Sequence, residues 1–245
     1  MSTQTKTALI TGGSSGIGFD VARAFLAKDV NVVINGRDAD KLQVAAEKLN
    51  NPQKVAVVPG DIREPKTGEA MVRVAVERFG SVDVLVNNAG TFGAKPFVDV
   101  TEADLDGYIT GNLKGTYFTT QAVVRQMKKE GGGSIVNIGT VLIDHAMAGL
   151  PASAPLVTKG GVHALTVSLA AELASDNIRV NAVAPGVIRT PIYGDADVDA
   201  FAGVALMNRV GEVDEVADAV AYLADAKFIT GHILPVDGGY VSGRV

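Results

Sequence analysis

Short apolar runs alternate along this chain with longer stretches whose apolar positions recur every three or four residues. The short runs Thr7–Ile10, Asn31–Asn35, Val55–Val58, Val82–Val86, Ile135–Ile138, Arg179–Val183 and Ile233–Val236 predict seven buried strands. Helices are expected over Phe19–Ala27, over Asp38–Leu49 with Asp38 as N-cap, and around Met71–Phe79. Further helices are expected after Thr101, from about Asn112 to Lys129, over 155–175 and over Val213–Leu223. Residues 139–154 predict a loop, and 191–211 an irregular or short-helical flap. Strands separated by helices imply parallel pairing, right-handed crossovers and helices on both sheet faces. The expected fold class is α/β, a doubly wound seven-stranded parallel sheet. No linker, low-complexity stretch or short repeat interrupts it, so residues 1–245 read as one domain.

Ligands of such sheets lie beyond the carboxyl ends of the strands. Segments 11–18, 35–37, 61–62, 87–90, 139–155 and 185–195 all follow strand ends and should converge on one cleft. The first of them, Thr11-Gly-Gly-Ser-Ser-Gly-Ile-Gly18, is a glycine turn between a strand and a helix. Glycines let backbone N–H groups approach a phosphate, and the helix start supplies unpaired donors and positive dipole character. Arg37, just past the second strand, stands where a dinucleotide fold meets the adenosine ribose. A guanidinium there suits a 2′-phosphate; an ordinary surface pairing with Asp38 or Asp40 is the competing reading. Asp61 can accept from an adenine amino group or simply form a turn.

Composition narrows the classes. Apolar residues make up 47%, with no Trp, so Val, Ile, Leu and Ala must fill the core. A net charge of −5 argues against nucleic acid or an anionic membrane as partner. Without cysteine there is no disulfide, thiolate metal site or cysteine nucleophile, which fits a cytoplasmic location, and no metal site is expected. The first strand starts by residue 7, leaving no room for a signal peptide, and no apolar run is long enough to span a membrane.

Several motifs then fall in register: the glycine turn, Asp61-Ile62, Asn87-Asn-Ala-Gly90, Asn112, Ile135-Val-Asn-Ile-Gly-Thr140, Lys159, Asn181-Ala-Val-Ala-Pro-Gly186 with Thr190, and Val236-Asp-Gly-Gly239. Together they resemble the short-chain dehydrogenase/reductase family over essentially the whole chain. The resemblance implies a Rossmann-type fold, a nicotinamide cofactor, hydride transfer at a carbonyl or alcohol, and often a homotetramer. It implies cofactor contacts at Gly12, Ser14, Ser15, Ile17, Gly18, Asp61, Ile62, Asn88, Ala89, Gly90, Lys159, Pro185, Gly186, Ile188 and Thr190. Arg37 resembles the members that prefer NADP over NAD.

The reactive positions depart from that pattern. The family's usual set is Asn, Ser, Tyr and Lys, with Tyr four residues before Lys. Asn112 and Lys159 match, Thr140 stands for Ser, and Pro155 stands where the Tyr is expected. The loop from Thr140 to Lys159 is also about two residues longer than is common in the family. The family's phenol, with an ordinary pKa of about 10, exchanges the substrate proton beside a lysine that favours the phenolate. Proline has no proton to offer, although it suits a helix's first turn if Ser153 is the cap. His145, in the same loop, is the candidate replacement, with Asp144 to orient it. Tyr193, Ser153 and a water held by Thr140 and Lys159 are the other candidates; His163 and His232 read as packing or solvated residues.

The leading expectation is an NADP-dependent oxidoreductase with a non-standard proton donor. The alternatives are an NADP-binding homologue without turnover, acting as partner subunit or sensor, and a lyase or isomerase. Segments 92–97, 141–153 and 190–208 are mostly apolar and small, which suggests a neutral small-molecule substrate. The small-residue helix at 160–174 suggests packing against a second subunit or against the chain's own sheet.

Overall fold

The computed structural model of the chain describes residues 5–243. Its seven strands are β1 (Thr7–Ile10), β2 (Asn31–Gly36), β3 (Val55–Pro59), β4 (Val84–Asn87), β5 (Gly133–Ile138), β6 (Ile178–Pro185) and β7 (Ile233–Val236). Every pairing is parallel, in the order β3-β2-β1-β4-β5-β6-β7. The helices are α1 (Gly16–Ala27), α2 (Ala39–Leu49), α3 (Pro65–Phe79), α4 (Glu102–Tyr108), α5 (Gly115–Glu130), α6 (Ser153–Glu172) and α7 (Val213–Asp225). Among the described residues no helix is long and apolar enough to cross a membrane.

The strands alternate their side chains between two cores, as period-two geometry requires. Ala8, Ile10, Val32, Ile34, Val84 and Val86 pack with Val21 and Phe25 of α1, Leu42 of α2 and Val216 and Val220 of α7. The intervening Leu9, Val33 and Leu85 pack on the other face with Met71 of α3, and Val123 and Met127 of α5. With both faces covered, β1 and β2 are buried at every position, which is why they read as unbroken apolar runs.

Several boundaries differ from the sequence expectation. Helix α1 begins at Gly16 rather than Phe19, because its first turn is glycine-rich and carries no apolar signal. β4 begins at Val84; Val82 is buried but its N–H donates to the Glu130 carboxylate instead of a strand ladder. Thr101 caps α4 through a capping box with Asp104. Between α4 and α5 the chain forms a π-turn over Ile109–Lys114, with Asn112 buried inside it. Such wide turns shift side chains off the regular helical stripe. Ser153 does not cap α6. The cap position is Ala152, without a side-chain bond, and Ser153 is the first helical residue. Pro155 still falls in the first turn, where a missing N–H costs no helical bond.

Strand order reverses between β1 and β4, so the crevice for a ligand opens at their carboxyl ends. Side chains stitch that seam together. The Thr11 hydroxyl oxygen accepts from the N–H groups of Asn88 and Ala89, each at 3.0 Å. In return the Asn88 amide donates to the carbonyls of Thr11 and Gly12 at 2.9 and 3.0 Å. Behind the site a buried polar chain joins α5, β4, β5 and α6. Asn87 donates to Thr120 and Asn137, both at 2.8 Å, and Asn137 donates to Thr166 at 2.9 Å.

Candidate active site

The glycine turn fits a pyrophosphate. Gly12 and Gly16 hold positive φ values of 66° and 53°, the region that disfavours a side chain. Ser15, at the N-cap of α1, forms no side-chain cap, so the first N–H groups of the helix face the crevice without that partner. A Cβ at Gly18 would collide with the Gly12 carbonyl and the Asn88 amide. Gly18 therefore supports the turn from beneath, while Gly12, Ser14, Ser15 and Ile17 line the cleft above it.

At the far end of the cleft Asn35 donates to the carbonyls of Val58 and Gly60 at 2.9 and 3.0 Å, fixing the end of β3 against β2. That places Asp61 and Ile62 beside Arg37. Asp38 caps α2 and pairs with Lys41, and among the described residues Arg37 forms no ion pair. Asp61 is clamped by Arg63, whose Nε donates at 2.9 Å and whose Nη2 donates at 2.5 Å. The Arg63 guanidinium holds the Asp61 carboxyl below its usual pKa. Arg63 is a cleft residue that the motifs did not single out, although it directly follows Asp61-Ile62.

Asn112 and Lys159 come together beside Gly90 on the cleft wall, and Thr140 lines the same cavity. Asn112 Oδ1 accepts from Thr91 N–H at 2.8 Å, and Nδ2 donates to Thr91 O at 3.0 Å and Thr158 Oγ1 at 3.2 Å. Thr158 in turn donates to the Pro155 carbonyl at 2.7 Å, tying the first turn of α6 to the π-turn. Lys159 Nζ donates to the Ile138 carbonyl at 2.7 Å, two residues before Thr140. A Cβ at Gly90 would lie 3.1 Å from Asn112 Oδ1 and 3.4 Å from Lys159 Nζ, so Gly90 keeps this junction open. Burial pushes the Lys159 ammonium down to a pKa of about 8. Thr140 Oγ1 accepts from Leu142 N–H at 3.3 Å, which leaves the hydroxyl proton free to be donated. His163, one turn beyond Lys159, accepts the Thr140 N–H at Nε2 and is held toward its neutral form by burial.

His145 is placed differently from the expectation. Its ring lies edge-on against Tyr240, with centroids 5.4 Å apart, and the Tyr240 hydroxyl donates to the His145 carbonyl at 3.1 Å. It is not among the residues lining the cleft, whereas Tyr240, Tyr108 and Tyr193 are. Asp144 is exposed, and its charge acts on His163. Burial raises the Tyr193 phenol, keeping it neutral. The other site residues expected from the sequence, apart from Ser153 and from Gly18 beneath the turn, line one cavity of about 1630 Å³. Its wide end is walled by Phe92, Met147, Leu150, Ile192, Phe201 and Leu206. The charges there are already engaged: Arg209 pairs with Glu215, and Asp237 accepts from the N–H groups of Gly239 and Val241. Arg189 ties the flap residue Asp199 to Glu212 at the start of α7. The closing turn around Asp237 touches both walls of this end, through Tyr240 on one side and Gly238 O, which accepts from Met207 N–H, on the other.

The same arrangement of strands and helices occurs in a short-chain type dehydrogenase/reductase from Mycobacterium marinum, at a TM-score of 0.92 and 31% identity over 97% of this chain and 96% of that one. Residues 12–241 match the family described as enoyl-(acyl carrier protein) reductase. The chain belongs to the short-chain dehydrogenase/reductase family. Within this dehydrogenase/reductase family it is 34% identical to a 3alpha-hydroxysteroid dehydrogenase of Mediterraneibacter gnavus, over 97% of this chain and 98% of that protein. It is 37% identical to a 3-oxoacyl-[acyl-carrier-protein] reductase of Thermotoga maritima, over 98% and 100% respectively. A solved structure described as ElxO with NADP bound superposes at a TM-score of 0.90, with 33% identity over 98% of this chain and all (100%) of that one. The family is one of NAD(P)-dependent oxidoreductases, and the glycine turn and the crevice at the β1/β4 switch fit such a cofactor.

Proposed function

We propose that this chain is an NADP(H)-dependent oxidoreductase interconverting a carbonyl and an alcohol on a small neutral substrate, with a proton donor other than the family's phenol. The observation that carries the reading is the placing of Asn112, Lys159 and Thr140 on the wall of the cavity that also holds the glycine turn. Bound nicotinamide would supply or take the hydride. Ser14, Ser15 and Ile17 would hold the pyrophosphate, Asp61 and Ile62 the adenine side, Ala89 and Gly90 the adenosine-ribose side, and Lys159 the nicotinamide ribose. Pro185, Gly186, Ile188 and Thr190 would flank the carboxamide. Thr140 would donate to the substrate oxygen. The apolar, self-paired wide end supports a neutral substrate, and the segment around 190–211 would cover it within a single 1–245 domain.

The test is NADPH oxidation by the purified protein against a broad carbonyl panel, beside titration of NADPH and NADH. Arg37, without an ion pair, supports NADP over NAD. A charge-assisted hydrogen bond is worth about 1.5–3 kcal/mol, so NADPH should bind roughly ten- to hundredfold tighter, and Arg37→Ala should abolish the difference. Equal affinities in the unmodified protein would sink the preference. Pro155 favours a second reading, a homologue that binds NADP without turnover; tight NADPH binding with no oxidation on any carbonyl would establish it.

Assembly is the next expectation. Tyr117 and Phe118 of α5 and Val157 and Val167 of α6 stand exposed on two helices that cover the same face of the sheet. Exposed apolar side chains of this size support a homo-oligomer, a tetramer on the family resemblance. Light scattering at micromolar concentration should report that mass; a monodisperse monomer would refute it.

A further inference from the structure

We propose that Lys159 itself is the proton donor of this active site, delivering its ammonium proton to a substrate oxygen held by Thr140. The inference rests on the oxidoreductase reading above and specifies its unassigned step. Four observations carry it. Pro155 is buried in the first turn of α6, its carbonyl already accepting from Thr158, so no acid stands at the phenol's position. Lys159 follows Thr158 directly, and its Nζ reaches the wall of the cleft beside Gly90 and Asn112. It spends one N–H on the Ile138 carbonyl and keeps two for other acceptors. Among the described residues no carboxylate pairs with it, so nothing but the carbonyl dipole compensates the buried charge, consistent with the lowered pKa.

The atoms balance simply. In reduction the nicotinamide's hydride forms a new C–H bond at the carbonyl carbon, and the carbonyl's π-electron pair moves to its oxygen. One N–H bond of Lys159 breaks as the O–H bond forms. The product is a neutral alcohol, the nicotinamide is oxidised, and the neutral amine regains a proton from solvent. In the oxidative direction the neutral amine takes the alcohol proton while the hydride leaves. His163, on its own helix, is the titratable group coupled to Lys159, and Asp144 in the loop after β5 acts on His163. The phenols of Tyr108, Tyr193 and Tyr240 line the same cavity from α4, the flap and the closing turn. The β4 end and the π-turn bring only amides, from Asn88 and Asn112.

The first readout needs neither cofactor nor turnover. The acylation rate of Lys159 by a small anhydride, followed by peptide mass spectrometry from pH 6 to 11, should rise with a midpoint near 8. A midpoint at the ordinary lysine value would overturn the proposal. With a carbonyl identified by the panel, reductive turnover should fall as pH rises through the same midpoint, and oxidative turnover should rise through it. Lys159→Arg keeps a cation but cannot release its proton at these pH values. It should lose at least about 10²-fold in turnover at saturating NADPH, with any change in the ribose contact read separately by NADPH titration. If the larger side chain prevents folding, the midpoint and the pH profile of the unmodified protein still decide. Turnover that does not follow the Lys159 midpoint, and is lost in His145→Ala but kept in Lys159→Arg, would transfer the role to the histidine and leave the oxidoreductase reading intact. NADPH binding without turnover at any pH would remove that reading and the donor role together.

Discussion

Gly18→Val should weaken NADPH binding by at least about 10²-fold. A side chain at residue 18 would run into the Gly12 carbonyl and the Asn88 amide, neither of which can yield alone. Asn88 is pinned between Thr11 and Gly12, and Thr11 in turn holds the N–H groups of Asn88 and Ala89. The glycine turn must therefore lift away from the β4 end, and its N–H donors lose their aim. Hydrogen bonds to a charged group are worth about 1.5–3 kcal/mol each, so misaligning two removes about 3–6 kcal/mol of binding. Isothermal titration beside a thermal melt would measure both consequences. A variant that melts near the unmodified protein and binds NADPH within threefold would show that the pyrophosphate does not rest on this turn.

Asn112→Ala should lower turnover by roughly 10²-fold and melting temperature by several degrees. Truncation leaves the Thr91 N–H without its acceptor and removes the link to Thr158. An unsatisfied buried group costs about 1–3 kcal/mol. In a chain of 245 residues each kcal/mol shifts the melting temperature by about 2–4 °C. The larger loss is positional: Gly90, next to Thr91, and Lys159, next to Thr158, are held in register through this one amide. A misplacement of an ångström at a reacting group is costly. Asn112→Asp keeps the acceptor for Thr91 N–H but not the donor for Thr158. It should recover part of the stability and little of the turnover, and full recovery of turnover would show that the Thr158 link does not position the site.

The strands were legible because both faces of the sheet are covered, leaving each strand as a compact apolar run. The cleft was legible because most of its motifs follow strand ends, which a parallel sheet gathers on one edge, while Asn112 and Lys159 reach it from the π-turn and α6. What escaped the sequence depends on contacts between distant segments. His145 reads as a cleft residue from its loop, yet its ring is claimed by Tyr240, 95 residues further on. Arg63 carries no helical or strand signal, and its clamp on Asp61 follows from side-chain reach alone. The π-turn around Asn112 is a slip in hydrogen-bond register, to which an apolar period is blind. Ala152 rather than Ser153 at the start of α6 shows the same limit: the better capping residue stood one position too late.

The closing turn around Asp237 gives the two walls of the substrate end a common hinge post. Tyr240 fastens the loop that follows Thr140, and Gly238 fastens the flap at Met207. Displacing either wall pulls on the same few residues, themselves clasped by the Asp237 carboxylate through Gly239 and Val241. The loop after Thr140 and the flap at Met207 thus share one anchor. The turn after β7 lines the same cavity and packs against Gly186, so it braces the mouth from within.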